Sequence, residues 1–391
     1  MQEVDEWVEK VKRSNLLDLC LLCLALTSHN LESPSKPFRN ASLWKRDAEP
    51  SSESEKLSFS RAYTLTLSPQ IIYTKSKLLA QLVSSKVYRQ LEFQAVGNWW
   101  ILDGQSESPL KRIPNGREDI FQDKSLDNRA KRSLMKFLKF VVDYEHQTEL
   151  CEPHAKSGLA GFLSSQFQLP EKLQDVIAAL TLSLNPPKDT PVGWALPRIA
   201  RHLTSIGVFG PGFGAVVPKW GGGAEISQVA CRAGAVGGGI YVLGTGVKSC
   251  QDITDEDELF IATLSNDETV KTKFLIRESV NSASSAPAVS KIIAVVSSPL
   301  NSLFKSYVEG SPPAAVSVVV LPAKTIAIEG TTTSHPVYIM VHSSETGECP
   351  VGQCQYHIFL SVSPKHYMMI QLMNTYLHCL NSIEDNIPLT V

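Results

Sequence analysis

More than half of the chain's 23 glycines fall between residues 207 and 246. No long helix or strand survives such a density, because each glycine inside a helix costs about 1 kcal/mol relative to alanine. The segment must be turns built around one short element. Gly221-Gly222-Gly223 and Gly237-Gly238-Gly239 bracket that element, and the spacing predicts a helix over Ala224–Ala233. Glu225 and Arg232 lie two helical turns apart and share a face, with Ile226, Val229 and Ala230 placed to pack beneath. An acid and a base shown on a glycine-bounded helix suit a protein-recognition surface. Two ordinary solvated charges would give the same pattern, and on these residues alone they are the commoner reading.

The glycines do not make a nucleotide site. Gly244-Thr245-Gly246-Val247-Lys248-Ser249 ends like a phosphate loop, but Val247 stands where a glycine must precede the lysine. No Gly-x-Gly-x-x-Gly opens a helix after a strand, so the dinucleotide fingerprint is missing too. Ser133-Leu134-Met135-Lys136 matches Ser-x-x-Lys, yet it lies in an apolar helical stripe and reads as a chance match. The nine histidines are dispersed, and none has a partner at the helical spacing that binds metal. No catalytic residue, cofactor or metal site is expected. Binding or scaffolding becomes the leading class.

Charge and cysteine usage narrow the setting. Lys+Arg 37 against Asp+Glu 39 leaves a net charge of -2, so no basic field exists for nucleic acid. Eight scattered cysteines in 391 residues argue against a disulfide scaffold. Cys20 and Cys23 read as buried thiols inside the apolar run Leu16–Leu26. That run is well short of the ~20 residues a membrane span needs. Acidic residues dominate before it, unlike a secretory signal. A cytoplasmic protein is expected.

The chain changes texture along its length. Residues 1–14 read as a short amphipathic helix, and 27–60 as a polar insertion. Thr64–Leu67 alternates like a strand, and Ser68-Pro69 resembles a helix start before the stripe Leu78, Leu79, Leu82 and Val83. Leu91–Val96 and Trp99–Leu102 read as two strands. Residues 126–205 look all-helical, with Leu134, Phe137, Leu138 and Val141 as core or cleft. Strands are expected at 259–264, 291–296, 315–321, 337–341 and 357–362.

Two blocks carry a family resemblance. Glu225-Ile226-Ser227-Gln228, then Arg232, then Gly238-Gly239-Ile240-Tyr241 resembles the Rab escort protein and Rab GDP-dissociation inhibitor family, whose pattern is Glu-Leu-Pro-Gln, Arg and Gly-Gly-(Ile/Thr)-Tyr. Arg61-Ala62-Tyr63 through Pro69, and Val87-Tyr88-Arg89 through Val96, resemble the family's first region. The resemblance covers roughly residues 58–362. Ile240 and Cys231 are closer to the escort branch.

The resemblance implies an α/β (α+β) fold with an FAD/NAD(P)-binding-like domain I and an inserted all-helical domain II. The expected division is 1–57 (N-terminal helix and disordered polar insertion), 58–125 (domain I, first part), 126–205 (domain II, prenyl-lipid site) and 206–391 (domain I, second part). It implies a Rab-binding platform that includes Arg61, Arg89, Glu225 and Arg232. The partners implied are GDP-bound Rab GTPases, the catalytic heterodimer of Rab geranylgeranyltransferase, the geranylgeranyl lipid carried on Rab, and a transient membrane contact. An inhibitor that recycles prenylated Rab is the near alternative, and a flavin oxidoreductase on the same fold a distant one. The family's opening strand, its Gly-Thr-Gly-Leu turn and its Tyr-Tyr-Gly segment have no counterpart here. Residues 15–44 resemble no family region. The chain is therefore expected to lack a central strand of domain I and to leave an open sheet edge.

Overall fold

The computed structural model describes residues 20–25, 41–45, 58–103, 110–252, 260–274, 289–325, 327–328 and 331–361. The first elements in chain order are the strands β1 (Cys20–Ala25), β2 (Ala41–Lys45) and β3 (Ile72–Tyr73), the helix α1 (Lys77–Ser84), and the strands β4 (Phe93–Leu102) and β5 (Leu110–Arg112). A helical stretch follows: α2 (Arg117–Gln122), α3 (Asn128–Val142), α4 (Leu159–Phe167), α5 (Glu171–Ala179) and α6 (Val192–Ser205). Next come β6 (Ala215–Pro218), α7 (Gly223–Val236), β7 (Val247–Asp252), β8 (Phe260–Leu264), β9 (Thr269–Thr272), β10 (Ser290–Val296) and β11 (Ala314–Leu321). The last described strands are β12 (Ala327–Ile328), β13 (Thr331–Thr332), β14 (Val337–Ser343) and β15 (Cys354–Leu360).

The β-branched runs at β10, β11, β14 and β15 make the middle of one large sheet, ordered β2-β1-β10-β15-β14-β11-β4-β6-β3. Both faces of these strands are covered, which is why they read as continuous apolar runs. Val316, Val318 and Val320 of β11 join Phe137, Leu163 and Ile199 of the helices. Val319 and Leu321 face the other way, into a core with Ile292, Ile339, Val341 and Tyr356. β7, β8 and β9 form a separate small sheet, and β12 and β13 a two-residue hairpin.

Several sequence expectations are corrected. β4 is one ten-residue strand where two were expected. At Gly97 a Cβ would collide with Ala314 of the parallel neighbour β11, and the β4–β11 register shifts on either side of the Val96–Val316 pair. Residues 64–67 form no strand. Their backbone groups bond to a loop and to side chains instead: Thr64 N donates to Glu348 O at 3.0 Å, and Gln355 Nε2 donates to Thr64 O at 3.1 Å. The helix does not start at Ser68-Pro69. Ile72 and Tyr73 first pair with β6, and α1 is capped by Ser76, whose hydroxyl accepts from Leu79 N at 3.2 Å.

The expected open edge is not seen at β10. There β1 pairs antiparallel with β10, and β2 pairs with β1. The apolar run of β1 therefore lies inside the sheet, between β2 and β10. So the region 15–44 supplies sheet, and the polar insertion contains a strand at 41–45. The expected helix at 1–14, the burial of Cys20 and Cys23, the linker at 282–288 and everything after Leu360 except Ser361 lie outside the described side chains or residues.

In the helical stretch α3 begins at Asp127, whose carboxylate accepts from Ala130 N at 2.6 Å. Leu134, Phe137 and Val141 are buried and Leu138 half-buried, so this face is core. The rings of Phe137, Phe140, Phe162 and Phe167 pack with centroids 5.0–6.4 Å apart. His202 of α6 meets Trp99 of β4 edge-on at 4.7 Å. Burial pushes His202 down to about 4, so it is neutral at pH 7. Helices and sheet thus share one continuous core.

Candidate functional site

Glycine sets both ends of α7. Gly222, just before it, has φ 59° and ψ -132°, a region where a side chain is strained. A Cβ there would also lie 3.1 Å from Thr66 Cγ2. Gly222→Ala is therefore expected to lose about 1–3 kcal/mol of folding stability. A urea midpoint equal to wild type would show that the turn accepts a side chain. At Gly221 the missing Cβ makes room for Glu225, whose Oε1 lies 3.0 Å from that position. Glu225 is thus half-buried in the first turn, where the helix dipole favours a negative charge.

The other end closes through Gly237 N to Ala233 O at 3.0 Å and Gly239 N to Gly234 O at 2.8 Å. The Tyr241 hydroxyl folds over Gly234, where a Cβ would collide with it. Beyond this turn Val236, Ile240, Val242 and Leu243 are exposed as an apolar strip. Beneath α7, Val229 is buried and Ile226 half-buried. Ala230 is exposed and does not pack beneath, contrary to the expectation from spacing.

Arg61 sits exposed on the single turn Ser60–Ala62. The chain after it is pinned. Tyr63 donates its hydroxyl to Gln353 Oε1 at 2.9 Å, Thr66 Oγ1 donates to the Glu348 carboxylate, and Lys291 Nζ donates to Thr66 O at 3.4 Å. Arg89 sits exposed on the turn Val87–Gln90, which packs against α7. Three segments therefore meet at the glycine turn: Thr66 touches Gly222, Gln70 touches Gly223, and the Arg89 turn touches the helix. Among the described residues Arg61, Arg89, Glu225 and Arg232 make no ion pair, either with each other or elsewhere. The packed segments present charges that make no ion pair among the described residues.

Behind the Arg61 segment lies a buried cluster that the sequence does not announce. His342 of β14, Glu348 of the following turn and His357 of β15 bring one potential ligand atom each within 4.8 Å of one another. Burial alone would raise the Glu348 pKa, but the charge and hydrogen bond of His342, with bonds from Thr66 and Thr346, hold it below the usual range. Burial, then His342 and Lys291, hold His357 well below the usual histidine range. Burial brings Lys291 down to about 7, with Glu348 opposing. Helical spacing could not reveal this group, because strand pairing assembles it.

Two of the best-formed crevices among the described residues are each only water-sized. Among the described residues no helix is long and apolar enough to cross a membrane.

The profile of the family described as GDP dissociation inhibitor matches residues 31–362. The match reaches upstream of residue 58 and into the segment expected to resemble no family region. A Saccharomyces cerevisiae protein named Rab proteins geranylgeranyltransferase component A is 39% identical over 195 residues, covering 50% of this chain and 32% of its own length. The Candida albicans protein of that name is 31% identical over 311 residues, covering 75% of this chain and 46% of its own length. This chain thus spans about a third to a half of those relatives. The solved Rab GDI of Plasmodium falciparum shares the mixed α/β fold with a TM-score of 0.56 at 18% identity, over 90% of this chain and 76% of that one.

Proposed function

The chain belongs to the GDP dissociation inhibitor family, and on that premise we propose that it is a Rab escort protein. It binds GDP-bound Rab GTPases, presents them to the catalytic heterodimer of Rab geranylgeranyltransferase and delivers the prenylated product to membranes. The observation that carries this reading is α7, a glycine-bounded helix with Glu225 half-buried and Arg232 exposed, neither in an ion pair among the described residues, beside the apolar strip 236–243. Uncommitted charge next to exposed apolar surface suits recognition of a protein partner. The names of the Saccharomyces and Candida relatives favour the escort branch.

Arg61, Arg89, Glu225 and Arg232 form the platform that meets the Rab switch segments. Charge-assisted hydrogen bonds there contribute about 1.5–3 kcal/mol each. Favouring the GDP state requires tighter binding to that state, since only differential affinity selects a conformation. In this reading 58–125 and 206–391 make a platform domain of FAD/NAD(P)-binding type. Residues 126–205 are its helical insertion and hold the geranylgeranyl chain, which gains about 0.8 kcal/mol per buried CH₂. The crevice between α5 and β11, one of the best formed, is only water-sized, so a lipid held there needs the helices to part. The chain catalyses no prenyl transfer, needs no cofactor and works in the cytoplasm with transient membrane contact.

The test is a titration with GDP-loaded Rab, prenylated and unprenylated. Tight binding of the unprenylated form is expected. Binding only after prenylation would make the chain a recycling inhibitor instead. No binding to either form, from a chain that melts cooperatively, would overturn the reading.

A further inference from the structure

His342, Glu348 and His357 are 2%, 3% and 0% exposed. On the β14–β15 ladder His342 faces Gln355 and Met340 faces His357, so both imidazoles stand diagonally on one face of the sheet. Their ring centroids are 4.5 Å apart. The Glu348 carboxylate accepts from His342 Nδ1. That assigns the proton to Nδ1 and leaves Nε2 with a free lone pair. His342 Nε2, both ring nitrogens of His357 and Gln355 Oε1 are buried with no hydrogen-bond partner. One unsatisfied buried polar atom is uncommon in a native fold, and several on one face require an occupant.

We propose that this cluster holds one zinc-class divalent cation, with His342 Nε2 and one His357 nitrogen as ligands and Glu348 holding His342 from its far nitrogen. Two imidazole nitrogens with the Gln355 amide oxygen form a nitrogen and oxygen set that suits zinc rather than calcium or magnesium. A carboxylate holding the far nitrogen of a ligating histidine is the usual support for such a metal. Gln355 Oε1 stands on the same face as the oxygen donor. Lys291, facing the cluster from β10, is the competing positive charge, and its Nζ is directed to Thr66 O. The site lies under the Arg61 segment, because Thr66 bonds to Glu348. It does not depend on the Rab reading.

The test is a titration of the metal-free full chain with cobalt(II), followed by visible absorption. One equivalent is expected to give the d–d bands of a nitrogen and oxygen site, and zinc should displace them. Glu348→Gln is expected to weaken cobalt binding about 10- to 100-fold. His357→Gln should abolish it, and Lys291→Met should tighten it by removing like-charge repulsion. If His357→Gln fails to fold, the wild-type spectrum and the Glu348→Gln affinity decide. No d–d absorption would overturn the site and leave buried water as the occupant. Thiolate charge-transfer bands, or equal affinity in wild type and Glu348→Gln, would overturn it as well.

Discussion

Arg232→Glu is expected to weaken binding of a GDP-loaded Rab by about 2 kcal/mol, or ~30-fold, with the fold unchanged. The two parts of that result have separate causes. In the free chain Arg232 is exposed and makes no ion pair among the described residues, so its loss breaks nothing internal. Such surface changes usually fall within about 0.5 kcal/mol of wild type. In the proposed complex the guanidinium would be desolvated against the partner, and a reversed charge there would meet repulsion in place of a charge-assisted hydrogen bond. Glu225→Lys should weaken binding in the same direction. It should also cost the chain about 0.3–1 kcal/mol, because it puts a cation in the first turn of α7. The pair is read by titration calorimetry beside thermal melts. Unchanged affinity in a folded double reversal would remove α7 from the interface.

What could be read from the sequence follows how local each feature is. The helix at 128–142 is visible because its apolar stripe recurs every three or four residues and Asp127 caps it. The strands at 290–296 and 314–321 are visible as β-branched runs buried on both sides. The helix at 223–236 is visible because glycine triplets mark its ends. Features that depend on a distant partner are hidden. Thr64–Leu67 alternates like a strand, but Glu348 and Gln355 take its hydrogen bonds. The continuity of β4 through Gly97 depends on how closely Ala314 approaches. His342, Glu348 and His357 converge only because β14 pairs with β15 in one particular register. The exposure of Arg61, Arg89 and Arg232 agrees with a platform, while their roles rest on the family pattern.

Phe137→Ala is expected to cost about 3–5 kcal/mol of stability, the range for truncating a fully buried aromatic side chain. Phe137 is 0% exposed, and its ring meets Phe167 at 5.2 Å and Phe140 at 6.4 Å. The useful question is where that loss appears. The helical stretch has no core of its own. Phe137 belongs to the same apolar cluster as Val96, Trp99 and Ile101 of β4 and Val316, Val318 and Val320 of β11. A cavity at Phe137 should therefore loosen sheet and helices together. Hydrogen exchange would then show backbone amides of Val318 and Phe140 losing protection by similar amounts. Loss confined to Phe140 would mean that the helices open as a separate unit. In the proposed reading, this shared core would tie lipid entry to the sheet, and a Rab bound at α7 would then bias whether the helices part.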